Sequence, residues 1–359
     1  MTPSDTSDAD RPSAYDAVLF VSFGGPDGPD DVIPFLENVL RGRNVPRERM
    51  LEVAEHYHHF GGKSPINEQN RALLDALTRE LDRRGPRLPV YWGNRNWHPL
   101  LTDTLREMAD AGVTRAIAFV TSGFSCYSGC RQYRENIAAA REPLGERAPL
   151  VDKIRVFFNH PGFVGPMAAN LATALARFPA RERANVPVLF TAHSIPCSMA
   201  DTSRYVPQLE ESCRLVADAA GVSDWRLVFQ SRSGPPTQPW LEPDVCDEIR
   251  RLATRGLKRL AVAPIGFISD HMEVLYDLDT EAAALCRELG IDMARVATVG
   301  TAPEFVAMVR DLIAERTWSL PERAAIGRLP ASHDVCPVDC CPAPQRPANA
   351  GRPQSSGPG

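Results

Sequence analysis

The stretch AVLFVSF at residues 17–23 decides the fold class, because it is a short apolar run that Gly24, Gly25 and Pro26 bring to an end. Such a run is typical of a β-strand. Six similar runs follow along the chain, at 90–92, 115–121, 154–158, 186–191, 225–230 and 259–264. Helical patterns lie among them, at 30–40, 67–83, 99–111, 132–141, 162–177, 203–220, 242–254, 271–289 and 303–316. This alternation predicts an α/β fold of parallel sheets flanked by helices.

The polar, helix-breaking segment 179–185 precedes a fresh strand, which predicts two α/β halves that meet near residues 150–185. The predicted organisation is a disordered N-terminus (1–14), an N-terminal domain (15–160), a C-terminal domain (161–318) and a Pro-rich tail (319–359). The last helix of the C-terminal domain could pack back on the first domain.

The composition is that of a soluble globular protein, with 43% hydrophobic and 24% charged residues. A formal net charge of −5 gives neither the basic footprint of a nucleic-acid-binding protein nor a polybasic membrane patch. No run approaches the roughly 18–20 apolar residues of a membrane span. Asp5, Asp8 and Asp10 stand where a secretory signal needs positive charge, so a cytoplasmic protein without stable membrane insertion is expected.

Four loops are expected to carry the functional residues. Ligands of open parallel sheets bind at the carboxyl ends of strands, and the loops at those ends are 24–26, 122–130, 192–196 and 266–273. We expect them to face one cleft between the halves. The first loop does not satisfy the G-x-G-x-x-G pattern, and Pro26 removes a backbone donor that a phosphate would need, so a dinucleotide site is disfavoured.

His193 follows the apolar strand residues 188–190, which places its imidazole at the edge of the sheet where ligands bind. A lone histidine is more often structural than functional, and from the residues alone both interpretations stay open. Ser194 does not fit a nucleophile elbow, because Ala192 and Pro196 stand where the glycines would be. A serine hydrolase is therefore set aside.

A stripe of carboxylates marks the helical pattern that begins near residue 271. Glu273, Asp277 and Glu281 are four residues apart and share one helix face, with no Lys or Arg from Asp270 until Arg287. Like charges at this spacing destabilise a helix by a few tenths of a kcal/mol each. The stripe is either an acidic surface or, as we favour, a row of carboxylates that attracts a divalent cation and passes it from one to the next. His271 and Asp270 lie near its start.

Three cysteines lie within six residues of the Pro-rich tail: Cys336, Cys340 and Cys341. Clustered thiols in a reducing compartment are more often metal ligands or catalysts than disulfides, and thiolates suit zinc or an iron–sulfur cluster. Because three thiols leave one ligand to be supplied, a fourth cysteine is expected from the folded body. A loose zinc scavenger and three unligated thiols remain open alternatives.

Several motifs resemble those of the ferrochelatase family, over nearly the whole body from about Tyr15 to Arg316. They are SFGGP at 22–26, FGGKSPIN at 60–67, TAHSIP at 191–196, QSR at 230–232, PWL at 239–241 and GFISDHMEVLYD at 266–277. Within the family the chain is most similar to the actinobacterial coproporphyrin ferrochelatases. The resemblance implies two Rossmann-like domains, a porphyrin cleft between them, and insertion of Fe2+ into a porphyrin.

The resemblance also implies roles for individual residues. His193 and Glu273 match the residues that flank the porphyrin centre and bind the entering iron, and Asp277 and Glu281 match the acidic path that leads away from it. Phe23 stands where some family members have an iron-ligating tyrosine, so no phenolate is expected there. The positions that match contacts to the porphyrin rim or propionates are Arg41, Tyr57, Ser64 and Tyr133. From the residues alone, Arg41 has the alternative role of complementing a helix dipole.

Family members are known to carry a [2Fe–2S] cluster held by one body cysteine and three tail cysteines. The resemblance therefore implies a cluster on Cys130, Cys336, Cys340 and Cys341, with Cys126 as the alternative body ligand. The predicted function is a ferrochelatase that acts on coproporphyrin III and Fe2+ as a monomer. The alternatives are a protoporphyrin IX ferrochelatase, a non-catalytic porphyrin or haem carrier with an iron–sulfur sensor, and a cobalt chelatase for another tetrapyrrole.

Overall fold

The computed structural model describes residues 13–42, 45–235 and 237–344. These residues form eight strands, which are β1 (Ala17–Ser22), β2 (Val90–Asn94), β3 (Arg115–Val120), β4 (Leu150–Lys153), β5 (Val188–His193), β6 (Trp225–Gln230), β7 (Arg259–Ala263) and β8 (Asp292–Arg295). They build two sheets, in the orders β2-β1-β3-β4 and β6-β5-β7-β8, and every neighbouring pair is parallel. The predicted α/β fold with two parallel sheets is confirmed.

Helices cover the sheets and connect the parallel strands. The α-helices are α1 (Val32–Val39), α2 (Arg47–His59), α3 (Ile66–Arg84), α4 (Leu101–Asp110), α5 (Gln132–Arg141), α6 (Pro161–Leu175), α7 (Cys197–Ala200), α8 (Tyr205–Ala220), α9 (Val245–Ala253), α10 (Met272–Val274), α11 (Ala283–Glu288) and α12 (Pro303–Thr317). Two segments are π-helical, at Tyr127–Arg131 and Leu275–Ala282, so residues 272–288 form one continuous helical segment with a π-helical middle. Short 3-10 turns lie at Pro29–Asp31, Glu142–Arg147 and Arg183–Asn185.

The predicted strand at 154–158 is wrong. The strand in this region is β4, Leu150–Lys153, and it lies at the edge of the first sheet with exposed and half-buried residues. Ile154, Val156 and Phe158 are buried in the core and have no strand conformation, although Ile154 N still donates to Ala118 O of β3 at 3.0 Å. Sequence reasoning also missed α2 and β8.

One hydrophobic core joins the two sheets. Phe20 and Phe119 of the first sheet contact each other at 5.5 Å between ring centroids, and Phe190 of the second sheet belongs to the same buried cluster. Phe163 of α6 and Phe305 of α12 lie in this cluster, 6.4 Å apart. Helix α12 packs against both α3 and α6. Because close-packed interiors transmit strain, this shared core fixes how the two sheet edges face each other.

The described part of the tail, 318–344, contains no helix or strand but is docked on the body. Its backbone carbonyls accept hydrogen bonds from body side chains: Ala324 O from Arg155 Nη2 at 2.9 Å, and Leu329 O from Asn159 Nδ2 at 2.7 Å. Bonds of this kind need no apolar periodicity, which explains how a Pro-rich segment is held in place.

Parts of the predicted termini lie outside the described residues. This applies to residues 1–12 of the N-terminus predicted to be disordered and to 345–359 of the tail. The predicted domain bounds stay a prediction. Among the helices that the structure describes, none is both long and apolar enough to cross a membrane.

His160 gives the fold a pH-dependent element at the start of α6. Its Nδ1 accepts a hydrogen bond from Gly162 N at 3.0 Å, and its buried Nε2 has no partner. Burial, followed by the charge of Arg155, lowers the pKa of His160 from 6.5 to about 4. The folded state therefore disfavours a proton that the unfolded chain accepts, so this stability is complete above about pH 6.5 and is lost as the pH falls towards 4.

We expect His160→Asn to reduce the stability lost between pH 7.5 and pH 5 by roughly 2 kcal/mol, because asparagine does not titrate but can still cap the helix. Urea unfolding at both pH values measures this difference. His160→Ala, which also loses the cap, should be less stable than His160→Asn at pH 7.5. Equal pH dependence in wild type and His160→Asn would contradict the assignment.

Candidate active site

His193 and Glu273 face each other at the carboxyl edge of the second sheet. His193 is the last residue of β5, and its Nε2 lies 3.5 Å from Oε2 of Glu273 in α10. Both side chains remain accessible, with exposed fractions of 33% and 52%. The structure thus brings together two residues that stand 80 positions apart in the sequence.

Gly266 allows this approach. It lies in the loop after β7, and a Cβ built on it would stand 2.7 Å from the Cβ of Ala192 in β5. Real side chains do not tolerate such a distance, so only glycine lets the loop pass this close to the strand. The loop then delivers Glu273 to the end of the strand that carries His193.

The hydrogen bond at Nδ1 fixes the tautomer of His193. Nδ1 lies 2.5 Å from the carbonyl oxygen of Ser194, and a carbonyl can only accept a hydrogen bond. Nδ1 therefore carries the proton of the neutral imidazole, and the lone pair is on Nε2, the atom nearest Glu273. This arrangement prepares Nε2 to take a proton or to bind a cation, while Glu273 would stabilise the resulting imidazolium.

Asp277 lies one step further along the same helix. Its Oδ2 accepts hydrogen bonds from Gln230 Nε2 at 3.2 Å and from the hydroxyl of Ser231. Burial raises the pKa of Asp277 to about 7, against the Ser231 hydrogen bond, and the charges of Glu273 and Glu281 add to the increase. Burial also raises the pKa of Glu281. The stripe is therefore not an ordinary solvated face, because its inner carboxyl can exchange a proton near neutral pH.

Asp270, which we expected near the start of the row of carboxylates, is held elsewhere. Its carboxylate pairs with Arg295. Its backbone N–H donates to Gln69 Oε1 of α3 at 2.8 Å, and its backbone carbonyl accepts from Gln69 Nε2 at 3.0 Å. These bonds connect a helix of the first half to the loop that carries Glu273. The pKa of the neighbouring His271 is lowered, chiefly by burial.

An aromatic wall connects the predicted porphyrin contacts Tyr57 and Tyr133. The ring of Tyr57 contacts Phe35 at 5.8 Å, and Phe35 contacts Phe23 at 6.3 Å. The guanidinium of Arg95 lies over both Phe23 and Tyr133, at 5.4 and 4.9 Å from the ring centroids. Burial, and then the charge of Glu273, raises the pKa of Tyr57.

Arg41 and Ser64 lie in different environments, one at an open groove and the other buried. Arg41 lines an open groove of about 770 Å³ together with Arg95 and Asn136, on the side of the first half. Ser64 is buried, and its backbone N–H donates to Pro26 O at 2.9 Å. Sequence reasoning missed Arg95, which lines this groove and whose Nε is buried without a hydrogen-bond partner.

The tail cysteines meet the body at the π-helical turn Tyr127–Arg131. Cys130 and Cys336 are neighbours, and their interaction lowers the pKa of Cys130 and raises that of Cys336. Cys340 Sγ lies 3.5 Å from Cys341 Sγ. Cys126, the alternative body cysteine, instead accepts from Gly129 N at 3.2 Å and contacts Ser128 Oγ at 3.4 Å.

Comparison with known proteins now gives the family. The family model described as Ferrochelatase matches residues 15–317. This chain belongs to the ferrochelatase family. Among curated relatives, a protein named Ferrochelatase from Rhodopirellula baltica is 62% identical, over 94% of this chain and 96% of that protein. One named Coproporphyrin III ferrochelatase from Streptomyces griseus is 53% identical, over 96% of this chain and 98% of that protein.

Solved structures agree on the fold of this ferrochelatase-family chain. A structure described as SirB from Bacillus subtilis with Fe3+ matches with a TM-score of 0.53 at 12% sequence identity, covering 83% of this chain and 96% of that one. At this identity the match supports the chelatase-like fold alone. The resemblance to ferrochelatases in the sequence analysis is confirmed.

Ser231 is a further candidate for the active site of this family member that sequence reasoning missed. Its φ of 61° lies in the left-handed region, which is strained for residues other than glycine. The strained backbone aims the hydroxyl at Asp277 and so favours the ionised carboxylate.

We expect Ser231→Gly to raise the pKa of Asp277 further, because glycine keeps this backbone conformation but removes the hydrogen bond. A bond to a charged group is worth about 1.5–3 kcal/mol, so the acid limb of the pH–rate profile for metal insertion should move up by about one to two pH units. Ser231→Asn tolerates positive φ and keeps a donor, and it serves as the control with a nearly unchanged profile. An unshifted limb in Ser231→Gly would refute the coupling.

Proposed function

We propose that this protein inserts Fe2+ into coproporphyrin III, with His193 and Glu273 at the catalytic centre. The observation that carries the proposal is the 3.5 Å contact between His193 Nε2 and the Glu273 carboxylate, both accessible at the edge of the sheet. A curated relative with the corresponding name covers nearly the whole chain and supports the choice of reaction.

Two protons must leave the central nitrogens of a porphyrin before a metal can enter. In the proposed mechanism, Nε2 of His193 accepts a proton, since the hydrogen bond from Nδ1 to Ser194 O leaves the lone pair on Nε2. Glu273 stabilises the imidazolium. Asp277, with its pKa raised to about 7, receives protons from this pair and passes them towards Glu281 and solvent.

The same carboxylates suit the delivery of Fe2+, the metal substrate. Oxygen ligands along 273, 277 and 281 replace the water of the ion stepwise before Nε2 of His193 meets it. A porphyrin held bent against the aromatic wall from Tyr57 to Tyr133 would expose its nitrogens to the iron.

Cationic groups in the groove favour a porphyrin with many carboxylates. Arg41 and Arg95 line it together with one carboxylate, Glu37, and coproporphyrin III carries more propionates than protoporphyrin IX. Protoporphyrin IX is kept as the second candidate, because the relative from Rhodopirellula baltica is named only Ferrochelatase.

A side-by-side anaerobic insertion assay tests the substrate. We expect a clearly higher kcat/KM with coproporphyrin III than with protoporphyrin IX, and we expect Arg41→Ala to raise KM for coproporphyrin III more than it lowers kcat. Comparable rates, or a preference for protoporphyrin IX, would overturn the substrate assignment. Porphyrin binding without any consumption of Fe2+ would instead support a carrier.

We also propose that Cys130, Cys336, Cys340 and Cys341 hold a [2Fe–2S] cluster. The donors are of the type this group needs: Cys336 neighbours Cys130, Cys340 Sγ lies 3.5 Å from Cys341 Sγ, and the charges of Lys153 and Arg134 favour the thiolate of Cys130. When bound, the cluster would supply a covalent connection between tail and body. The backbone carbonyls of Val338 and Cys336 are already bonded by Arg131 and Arg134, at 2.9 and 3.5 Å.

Cys130→Ser should therefore abolish the visible absorption of the cluster, whereas Cys126→Ser should retain it, because the Cys126 thiol is directed at its own turn. Absorption spectra of the two purified variants, prepared without oxygen, measure the effect. Loss of the absorption in Cys126→Ser together with its retention in Cys130→Ser would instead assign the body ligand to Cys126. Unchanged chromophore and stability in the tail variants Cys336→Ser and Cys340→Ser would refute the cluster.

The proposed compartment is the cytoplasm, where reducing conditions suit nine cysteines that are all free within the described residues. The proposed oligomeric state is a monomer, which light scattering of the purified chain would test.

A further inference from the structure

Arg295 binds two carboxylates of the chain segment that carries Glu273. It is the last residue of β8, and its guanidinium pairs with the carboxylate of Asp270, just before the helical segment 272–288 begins. Its Nε lies 3.3 Å from Oδ1 of Asp279, inside the π-helical part of that segment. Nη2 donates a hydrogen bond to Asp270, whereas Nε forms no hydrogen bond, so the contact with Asp279 is an attraction between charges alone.

We propose that Arg295 is a positioning residue for iron insertion, which maintains the π-helical conformation in which Glu273 faces His193. The inference deepens the proposed function and rests on it, because it concerns the same pair of residues. Arg295 has no contact with the reacting atoms in this proposal. Its guanidinium is paired with two aspartates and acts on the reaction only through the backbone to which they belong.

The two aspartates lie on either side of the carboxylates of the proposed active site. Glu273 and Asp277 stand between positions 270 and 279, so a contact at each end limits how far the turns between them can shift or rewind. A π-helix is rare in proteins and usually extends over a single turn. Eight π-helical residues in succession, Leu275–Ala282, therefore need support from the surrounding structure, and Arg295 supplies it from β8.

The position of Arg295 itself is fixed by the second sheet. Arg295 pairs in register with Val262 of the inner strand β7, and the next residue, Val296, donates its backbone N–H to Val262 O at 2.9 Å. The side chain of Arg295 is only 16% exposed, and its Nη1 donates to the carbonyl of Val296. Partly buried ion pairs are screened much less than exposed ones, so these contacts can hold the segment.

Asp270 also connects Arg295 to the first half of the protein. The backbone of Asp270 exchanges two hydrogen bonds with the side chain of Gln69 in α3, at 2.8 and 3.0 Å. Helix α3 begins two residues after Ser64, a predicted porphyrin contact. Asp270 is therefore held by side chains from both halves. Through it, Arg295 aligns Glu273 with the half of the protein that would hold the porphyrin.

Arg295→Met tests the proposal, because methionine is a long side chain without the charge. In an anaerobic insertion assay with coproporphyrin III and Fe2+, we expect kcat to fall by about 10–100-fold, as on loss of a side chain that orients a metal ligand. Porphyrin affinity, measured by fluorescence quenching, should stay nearly unchanged, since Arg295 does not line the groove.

Two further variants serve as controls. Arg295→Lys keeps the charge but not the planar fork that reaches both aspartates, so it should recover part of the lost activity. Arg177→Met removes a different ion pair of β8, in which Arg177 Nη2 lies 3.2 Å from Asp292 Oδ1, outside the segment. It should retain the kcat of the wild type.

Amide hydrogen exchange of the full-length protein provides a second measurement that needs no turnover. Residues 272–282 should exchange faster in Arg295→Met than in the wild type, while β5 and β7 keep their protection. Equal exchange in this segment, or wild-type kcat in Arg295→Met, would overturn the positioning role. So would equal losses of kcat, porphyrin affinity and protection throughout the sheet, because Arg295 would then serve folding alone. A wild type that binds coproporphyrin III without inserting iron would refute the proposed function, whereas the exchange data would still decide whether Arg295 holds the segment.

Discussion

His193→Ala is expected to lower the rate of iron insertion by about 10²–10⁴-fold while porphyrin binding is largely retained. The reason is that Nε2 of His193 carries a free lone pair and lies 3.5 Å from the carboxylate of Glu273. Alanine removes the proton acceptor and the metal ligand together. The aromatic wall and the groove that would hold the porphyrin remain intact. Anaerobic absorbance kinetics give kcat, and quenching of porphyrin fluorescence gives the affinity.

Ser194→Ala is the matched control for this variant. The Ser194 hydroxyl donates to Leu241 O at 2.8 Å, away from the proposed reaction, and its backbone carbonyl still accepts from Nδ1 of His193. Near-normal turnover is therefore expected, and a nucleophilic role for Ser194 would predict the opposite. Partial recovery of His193→Ala by added imidazole would assign the loss to proton transfer. A His193→Ala enzyme that inserts iron at the normal rate would refute the proposed mechanism.

The contact between His193 and Glu273 was predictable because strand exits are visible in sequence. An apolar run followed by His193, and a carboxylate stripe without bases, indicated which side chains meet at the carboxyl edge of a parallel sheet. Ser231 was not predictable in this way, because positive φ at a serine leaves no pattern in the residues around it.

The errors in the fold have a common physical cause. Apolar runs predict burial, and burial is not the same as strand pairing. Residues 154–158 are buried without being a strand, while β4 and β8 are short edge strands with polar residues. Helix α2 buries only Met50 and Ala54, which is too few apolar positions to stand out against its charged residues. The docking of the tail was not predictable from the sequence, because its hydrogen bonds use backbone carbonyls. Every residue has such a carbonyl, so these bonds leave no pattern in the sequence.

The second large effect is expected from Arg155, which forms an ion pair with Glu315 in the interior. Both side chains are nearly inaccessible, at 1% and 6%, and two N–H groups of Arg155 donate to the two carboxylate oxygens at 2.8 Å. Breaking such a pair leaves an uncompensated buried charge. Arg155→Ala should therefore lower the free energy of unfolding by about 3–5 kcal/mol, as measured by urea unfolding at pH 7.5. It should also loosen the tail, because Ala324 O loses its donor.

The double variant Arg155→Met, Glu315→Leu separates the cost of a buried charge from the value of the pair itself. Apolar replacements of similar volume are often neutral or stabilising, so the double variant is expected to recover most of the stability lost in either single variant. If the double variant is instead as unstable as Arg155→Ala, the hydrogen bonds of Arg155, to Glu315 and to Ala324 O, themselves stabilise the junction of α12 with the body, because no buried charge is then left without a partner. Glu315→Gln is a milder single variant. It should be less damaging than Arg155→Ala, since a neutral amide can still accept one hydrogen bond from the guanidinium, whose charge retains partial access to the carbonyl of Ala324.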